Sequence, residues 1–204
     1  MCAQQTLFAP GCALREYKPE LIDRMAAFLL EKGLVSGTFV TCCKADNAVQ
    51  GPVTLITCCP GCDHMFHMRY PEVTTISLWK VLLDTDFPFP DYKHELMSIH
   101  DSCHSRGRNS SEKQAAVREI CRRMNIDLAE PTCTMDETRC CGGCTADIDT
   151  RRNMARIRAE DFPADNVVVY CTGCTRSLSI TRVHPRHILD LLYGETTEGL
   201  TLKV

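Results

Sequence analysis

The stretch Val53–Cys62 reads VTLITCCPGC, and Asn166–Cys174 reads NVVVYCTGC. Each is a short apolar, β-branched run that ends in Cys-x-Gly-Cys. Apolar runs of this length without polar alternation describe strands buried on both faces, as in parallel sheets covered by helices. In open α/β sheets the ligand lies beyond the carboxyl ends of the strands. The two stretches therefore predict an α/β protein with its chemistry at that edge.

Working outward, the two stretches have matching flanks. Upstream, an apolar segment ends in a cysteine: FAPGC (Phe8 to Cys12) in one half, SIHDSC (Ser98 to Cys103) in the other. A helix follows each. In the first, Pro19 suits the first helical position, Leu21, Ile22, Met25, Phe28 and Leu29 make an apolar stripe, and Gly33 can end it. In the second, Ser110 or Ser111 can cap a helix whose apolar positions include Val117, Ile120, Cys121 and Met124. Short strand-like pieces come next, TFVT (Thr38 to Thr41) and IDLAE (Ile126 to Glu130), then the adjacent pairs Cys42-Cys43 and Cys140-Cys141. Downstream of each Cys-x-Gly-Cys lies a last helix, SLWKVLLD (Ser77 to Asp84) or HILDLLYG (His187 to Gly194). DFPFPDYKHE (Asp86 to Glu95) breaks every periodicity and is the natural boundary. The expected architecture is α/β: two pseudo-repeated Rossmann-like halves, residues 1–90 and 91–204, with mainly parallel sheets and cysteine loops at the strand carboxyl ends.

Composition narrows the function. Hydrophobic and charged fractions of 44% and 24% are those of an ordinary globular chain. A net charge of −3 argues against a nucleic-acid partner. No apolar run approaches the ~18 residues of a membrane span. The start, MCAQQTLFAPGC, lacks the regions of a signal peptide, which predicts a cytoplasmic location where thiols stay reduced. There are 15 cysteines in 204 residues, an odd number in a reducing compartment, so metal is a better reading than a disulfide framework.

Ten of these cysteines fall into one order twice: a single cysteine, an adjacent pair, then Cys-x-x-Cys. The first set is Cys12, Cys42, Cys43, Cys59 and Cys62; the second is Cys103, Cys140, Cys141, Cys171 and Cys174. The intervening gaps are 29, 15 and 2 residues in the first set and 36, 29 and 2 in the second. A structural zinc or an ordinary cubane takes four ligands. A fifth thiol is either spare or the mark of a larger, more open cluster. Neighbouring residues do not easily aim both sulfurs at one small ion but can reach two different irons. Clustered thiolates also need a polycationic centre to stay deprotonated, and soft sulfur selects iron–sulfur clusters, zinc or copper(I).

This order resembles the tandem cysteine-rich CCG-domain family, which includes the disulfide-reducing subunit of heterodisulfide reductases. HDSCH (His100 to His104), RCCGGC (Arg139 to Cys144) and VVVYCTGC followed by HILDLL carry the likeness, which runs from about Phe8 to Tyr193. The resemblance implies that each pentad holds a non-cubane [4Fe-4S] cluster and that the two clusters face each other across the domain interface. It implies reduction of a small disulfide, each cluster capturing one sulfur and supplying one electron. An electron-donor subunit, a flavoprotein or ferredoxin-like protein, is then expected as partner. Nothing in the sequence offers a phosphate loop or a flavin or nicotinamide site. A non-catalytic electron-transfer subunit, or a metal-binding assembly or sensor protein, is the alternative.

The first half departs from the pattern. Lys44 follows its pair where the family has glycine, and the gap from Cys43 to Cys59 has no room for a helix like that in TADIDTRRNMARIRAED. A backbone passing close to a cluster favours Gly, so the first half is expected either to keep its non-cubane cluster or, with the site opened, to hold a smaller cluster or zinc. Cys121 reads as a core residue, Cys58 as a strand residue matching Tyr170, and Cys2 and Cys133 have no patterned partners. Cys144 is placed to be a sixth ligand or redox partner. His64, His67, His100 and His104 flank cysteine motifs; His64, His100 and His104 are candidate proton donors to a departing thiolate, against the simpler role of holding the cysteine loops by hydrogen bonds. His184 and His187 read as structural. Arg151, Arg152, Arg156 and Arg158 are expected either to draw an anionic substrate or acidic partner or to form the solvated face of a helix.

Overall fold

The fold is that of a computed structural model, which describes residues 5–46, 48–107 and 109–198. Cys2 lies outside the described residues. The chain divides between Asp84 and Thr85 into two compact units.

In the first unit, β1 (Gln5–Ala9), α1 (Cys12–Tyr17), α2 (Pro19–Glu31), β2 (Val53–Thr57), α3 (Pro60–Arg69), β3 (Val73–Ser77) and α4 (Leu78–Leu83) follow in order. The strands form a parallel sheet β1-β2-β3. In the second unit, β4 (Glu95–His100), α5 (Ser110–Arg123), β5 (Ile126–Ala129), α6 (Ile148–Ala159), β6 (Asn166–Val169), α7 (Thr172–Leu178), β7 (His184–His187) and α8 (Ile188–Leu192) build a parallel sheet β5-β4-β6-β7. The protein is thus α/β with two parallel sheets, and its cysteine loops follow the strand carboxyl ends.

Both sheets follow the same plan. β1, β2 and β3 correspond to β4, β6 and β7. The counterpart of β5 is the segment TFVT, which the sequence pattern draws as a strand. There it is reduced to one parallel bridge, Phe8 to Thr38. Backbone bonds from Phe8 to Gly37 (2.9 Å) and from Phe39 to Phe8 (2.7 Å) hold it to the sheet edge. The chain then leaves the sheet at Val40, whose carbonyl accepts a 2.8 Å bond from Arg15 Nη1. That departure lets Cys42 reach Cys12.

Apolar patterning explains the cores. In α2, Leu21, Met25 and Leu29 are fully buried, as the stripe predicts, with Pro19 at the helix start. Gly33 ends the helix at φ +66. In α5, Val117, Ile120 and Cys121 are fully buried. The N-cap position of that helix is Asn109, with no side-chain capping bond, rather than Ser110 or Ser111; Ser110 is its first residue, and its hydroxyl donates to Asp136 at 3.0 Å. Val167, Val168 and Val169 are fully buried in the interior strand β6. β7 reads HPRH, with no strand signature. Pro185 is tolerated because β7 pairs on one side only and needs no donor on the other. Among the described residues, no helix is long and apolar enough to cross a membrane.

Candidate metal centre

Each pentad is assembled by the same local devices. β1 delivers Cys12 to the start of α1, and β4 delivers Cys103 to a short 3-10 turn. β2 and β6 deliver their Cys-x-x-Cys to a helix start: Cys59 and Cys171 are the extended N-caps of α3 and α7, and Cys62 and Cys174 lie three residues on. That spacing puts both sulfurs of each motif on one side of the turn.

The adjacent pairs divide their sulfurs in the same way in both units. In the first, Cys42 Sγ lies 3.9 Å from Cys12 Sγ, while Cys43 Sγ lies 3.8 Å from Cys62 Sγ. In the second, Cys140 Sγ lies 3.7 Å from Cys103 Sγ, and Cys141 hydrogen-bonds Cys174. The first cysteine of each pair therefore joins the opening cysteine, and the second joins the Cys-x-x-Cys. Cys59 in turn hydrogen-bonds Cys62, and Cys171 hydrogen-bonds Cys174. Every described cysteine is a free thiol.

These spacings are far beyond a disulfide bond of about 2.05 Å. Two thiolates on one tetrahedral metal with bonds of about 2.3 Å lie about 3.8 Å apart. The soft, crowded donor set therefore fits a thiophilic metal centre. The thiols are also desolvated. Cys141, Cys171 and Cys174 sit in an apolar cluster with Phe162, Val169 and Leu178, and Cys43 and Cys62 pack with Leu55 and Phe66. Protons are shared unevenly as a result. The hydrogen bond between Cys43 and Cys62 holds Cys43 down to about 6, and the one that Cys103 donates to Cys140 holds Cys140 down to about 6 as well. Hydrogen bonding from Cys174 lowers Cys141 well below the ordinary thiol range, with His100 contributing. Their partners Cys62, Cys103 and Cys174 are pushed up, first by hydrogen bonds to neighbouring thiols and then by burial. A cation would release these protons.

The second pentad has a more elaborate support. Asp101, fully buried, accepts from Arg118 Nη1 (3.1 Å) and Nη2 (2.8 Å), from Tyr170 Oη (2.7 Å) and from the Met135 amide (2.8 Å). Burial alone would raise its pKa, but Arg118 and the other donors hold it below the usual carboxylate value. Thr138 Oγ1 donates to the Asp101 carbonyl at 2.9 Å, tying the Cys103 loop to the Cys140 loop. In the first unit the corresponding link is plainer: Cys58, at the position of Tyr170, donates its thiol to the Pro10 carbonyl at 3.1 Å. Cys58 is buried behind the pentad, as its match with Tyr170 implies.

The Cys-Cys-Gly glycine has a different cause from the one expected. Gly142 has φ +78, and a Cβ there would meet Arg151 Cα and O and Met154 Cβ at 3.0–3.1 Å. The crowding comes from α6, not from the thiols. The first unit has no helix among the described residues between Cys43 and Cys59, so Lys44 is accommodated. The glycines that touch the pentads are others. A Cβ on Gly11 (φ +86) would lie 2.9 Å from Cys62 Sγ, and one on Gly143 would meet the Gly173 carbonyl oxygen at 2.8 Å and Cys141 Sγ at 3.5 Å.

The flanking histidines separate. His67 bonds Thr75 at 2.8 Å and approaches Asp63 at 3.8 Å, a holding role. His64 is exposed on α3. His104 Nδ1 stands 3.9 Å from Cys103 Sγ and 3.7 Å from Cys144 Sγ, the latter exposed. His100 is buried, and it, Cys141 and Cys174 bring one ligand atom each within 4.8 Å of one another, a group able to hold a metal ion. His187 is wholly buried beside Cys171, and desolvation lowers it to about 4. Its Nδ1 accepts from the Leu189 amide at 3.2 Å.

The expected basic cluster breaks up. Arg152 and Arg156 are exposed and paired with Asp149 (3.3 Å) and Glu160 (2.6 Å). Arg151 bonds the Thr145 carbonyl. Arg158 is fully buried, held by Asp161 (2.6 Å) and the Cys133 carbonyl (2.9 Å). One signal in the sequence marks its burial: it lies in the small-residue stripe of Ala155 and Ala159.

No family model matches the chain, and no curated protein or solved structure matches it.

Proposed function

We propose that the protein is an iron–sulfur oxidoreductase of the kind found as the disulfide-reducing subunit of heterodisulfide reductases. In this reading Cys12, Cys42, Cys43, Cys59 and Cys62 hold one non-cubane [4Fe-4S] cluster, and Cys103, Cys140, Cys141, Cys171 and Cys174 hold the other. The observation that carries this reading is the repeated convergence of five thiols with the same division of partners. Two one-electron clusters would supply the electrons that a disulfide needs: the S–S bond breaks, each sulfur takes one electron and one proton, and two thiols leave. A flavoprotein or ferredoxin-like subunit would supply the electrons. The chain's own residues bind and shape the centres. His104, which stands 3.9 Å from Cys103 Sγ and 3.7 Å from the exposed Cys144 Sγ, would give a proton to a departing thiolate. His64 is the corresponding exposed candidate in the first unit. His100 is buried and engaged by Arg158, so it has no path to such a sulfur.

A second reading is favoured by the sulfur spacing. Contacts of 3.7–3.9 Å suit two thiolates on one ion, whereas thiolates on separate irons of one cluster stand farther apart. A zinc-binding or non-catalytic electron-transfer protein would need less opening of each pentad, above all in the simpler first unit. Iron, zinc and acid-labile sulfide content on anaerobically purified protein, with EPR before and after thiol addition to the oxidised sample, separates the two. About eight irons per chain and a thiol-dependent signal support the disulfide reductase. Zinc without iron, or iron without a thiol response, refutes it.

A further inference from the structure

The two units differ at one position that faces the thiols. Ala9 pairs with Thr57 at the end of β1, and His100 pairs with Val169 at the end of β4. Each stands three residues before the opening cysteine of its pentad. Both are buried, 2% and 1% exposed. The first unit therefore has a methyl group where the second has an imidazole.

The state of that imidazole is decided from behind. Arg158 Nε–H donates to His100 Nδ1 at 3.1 Å. The guanidinium is fixed by Asp161 and the Cys133 carbonyl and lies 4.5 Å over the Phe162 ring. It does not give up its proton, so Nδ1 is the acceptor and the proton of the neutral ring is on Nε2. Nε2 is buried with no hydrogen-bond partner, and the ring stands near Cys141 and Cys174, one ligand atom of each of the three lying within 4.8 Å of the others. An Nε2–H there is an unused donor beside two sulfurs, and sulfur of a bound centre is the acceptor it would take. Coordination of a metal by Nε2 would move the proton to Nδ1, setting donor against donor at Arg158.

We propose that His100, oriented by Arg158, is a positioning residue that donates a hydrogen bond to sulfur at the second centre and makes that centre the easier of the two to reduce. Hydrogen bonds to cluster sulfur, and the net charge nearby, are among the determinants of cluster potential. Reduction adds negative charge to the sulfurs, so a donor and a buried cation favour the reduced state. The first unit has Ala9 at the donor position and no counterpart of α6 among its described residues. This inference rests on the iron–sulfur reading above and assigns that reading's two centres unequal potentials.

The test uses the full chain, loaded anaerobically, as wild type, His100→Leu and His100→Gln. Iron and sulfide are counted first, and EPR-monitored redox titrations follow. His100→Leu should keep its iron and shift the reduced-to-oxidised ratio of one centre about tenfold toward oxidised, equivalent to ~59 mV for a one-electron couple. His100→Gln, which restores an N–H at similar reach, should recover most of the shift. Pulsed EPR on protein labelled with ¹⁵N-histidine should show a weakly coupled nitrogen and an exchangeable proton in wild type that are absent from His100→Gln, a result that stands even if His100→Leu does not fold. An unmoved potential, equal shifts at both centres, iron lost from folded His100→Leu, or a strongly coupled, directly bound nitrogen each overturns the proposal. Zinc without iron in wild type overturns the iron–sulfur reading and this inference together; iron-loaded wild type with any of the other results overturns the inference alone.

Discussion

Gly11→Ala and Gly51→Ala together isolate a single sulfur contact. Both glycines have positive φ, +86 and +77, so both substitutions force an L residue into the left-handed region. That costs about 1–2 kcal/mol in each. They differ in what the new methyl meets. At Gly51 nothing lies within 4 Å, whereas at Gly11 the methyl would lie 2.9 Å from Cys62 Sγ and 3.8 Å from Cys59 Cβ. Restoring an ordinary contact of about 3.5–4.0 Å moves that sulfur by about 0.6–1.1 Å. Metal sites tolerate about 0.2 Å in ligand distance. Gly51→Ala should therefore lose stability and keep its metal, while Gly11→Ala loses a similar amount of stability and the first centre as well. The assay is metal content per chain after anaerobic loading, with thermal unfolding alongside; each kcal/mol lowers the midpoint of a unit this size by about 4–8 °C. Full metal content in a folded Gly11→Ala variant would refute the placement of Cys62 against Gly11.

Gly142→Ala should destabilise the second unit by about 2–3 kcal/mol through backbone strain and contact with Arg151 and Met154, while Lys44→Gly changes stability by no more than about 1 kcal/mol; denaturant unfolding of both variants measures this. Cys58→Ala should leave metal content unchanged and cost about 1 kcal/mol from the lost bond to Pro10, whereas Cys59→Ala removes the first centre, as metal analysis would show. Asp101 has its pKa depressed in the fold by Arg118 and its other donors against the raising effect of burial. Its contribution to stability is then present above the unfolded value of about 3.9 and is lost as pH falls through the lower folded value. Asp101→Asn should be less stable than wild type by about 3–5 kcal/mol near neutral pH, and the difference should shrink below pH ~4 in unfolding curves taken across pH.

Several features of the fold are legible in the sequence because local residue patterns and backbone demands agree. VTLIT and NVVVY are too apolar to be anything but interior strands, and both are. The α2 stripe and Pro19 agree with the helix they form. Other elements are written by tertiary context. HPRH is a strand because β6 offers an edge to it, and VTTIS has too weak an alternation to announce β3. TFVT has the composition of a strand but is drawn off the sheet at Val40 to bring Cys42 to Cys12. The pairing inside each pentad is only half legible: spacing implies that adjacent cysteines reach different centres of charge, but which sulfur joins which depends on the turns that follow β1 and β4. Arg158 looks like its exposed neighbours because charge dominates its appearance, and only the flanking alanines reveal the buried face.

The length of one gap explains most of the difference between the units. The second unit has 29 residues between Cys141 and Cys171, the first only 15 between Cys43 and Cys59. The longer gap holds α6. Once α6 packs against the turn after Cys141, residue 142 must be glycine, whereas the unobstructed turn of the first unit accepts Lys44. The same helix carries Arg158 into the interior, and a buried guanidinium requires acceptors. Asp161 and the Cys133 carbonyl accept from Nη1 and His100 Nδ1 from Nε, while Nη2 has no hydrogen-bond partner. Without α6, an imidazole at position 9 would have no cation behind it to fix its proton, and the first unit has alanine there. The Cys-Cys-Gly motif, the long gap and the buried histidine are therefore linked consequences of one inserted helix. Removing α6 while keeping all ten cysteines should relieve the demand for Gly142 and at the same time leave His100 without its orienting partner.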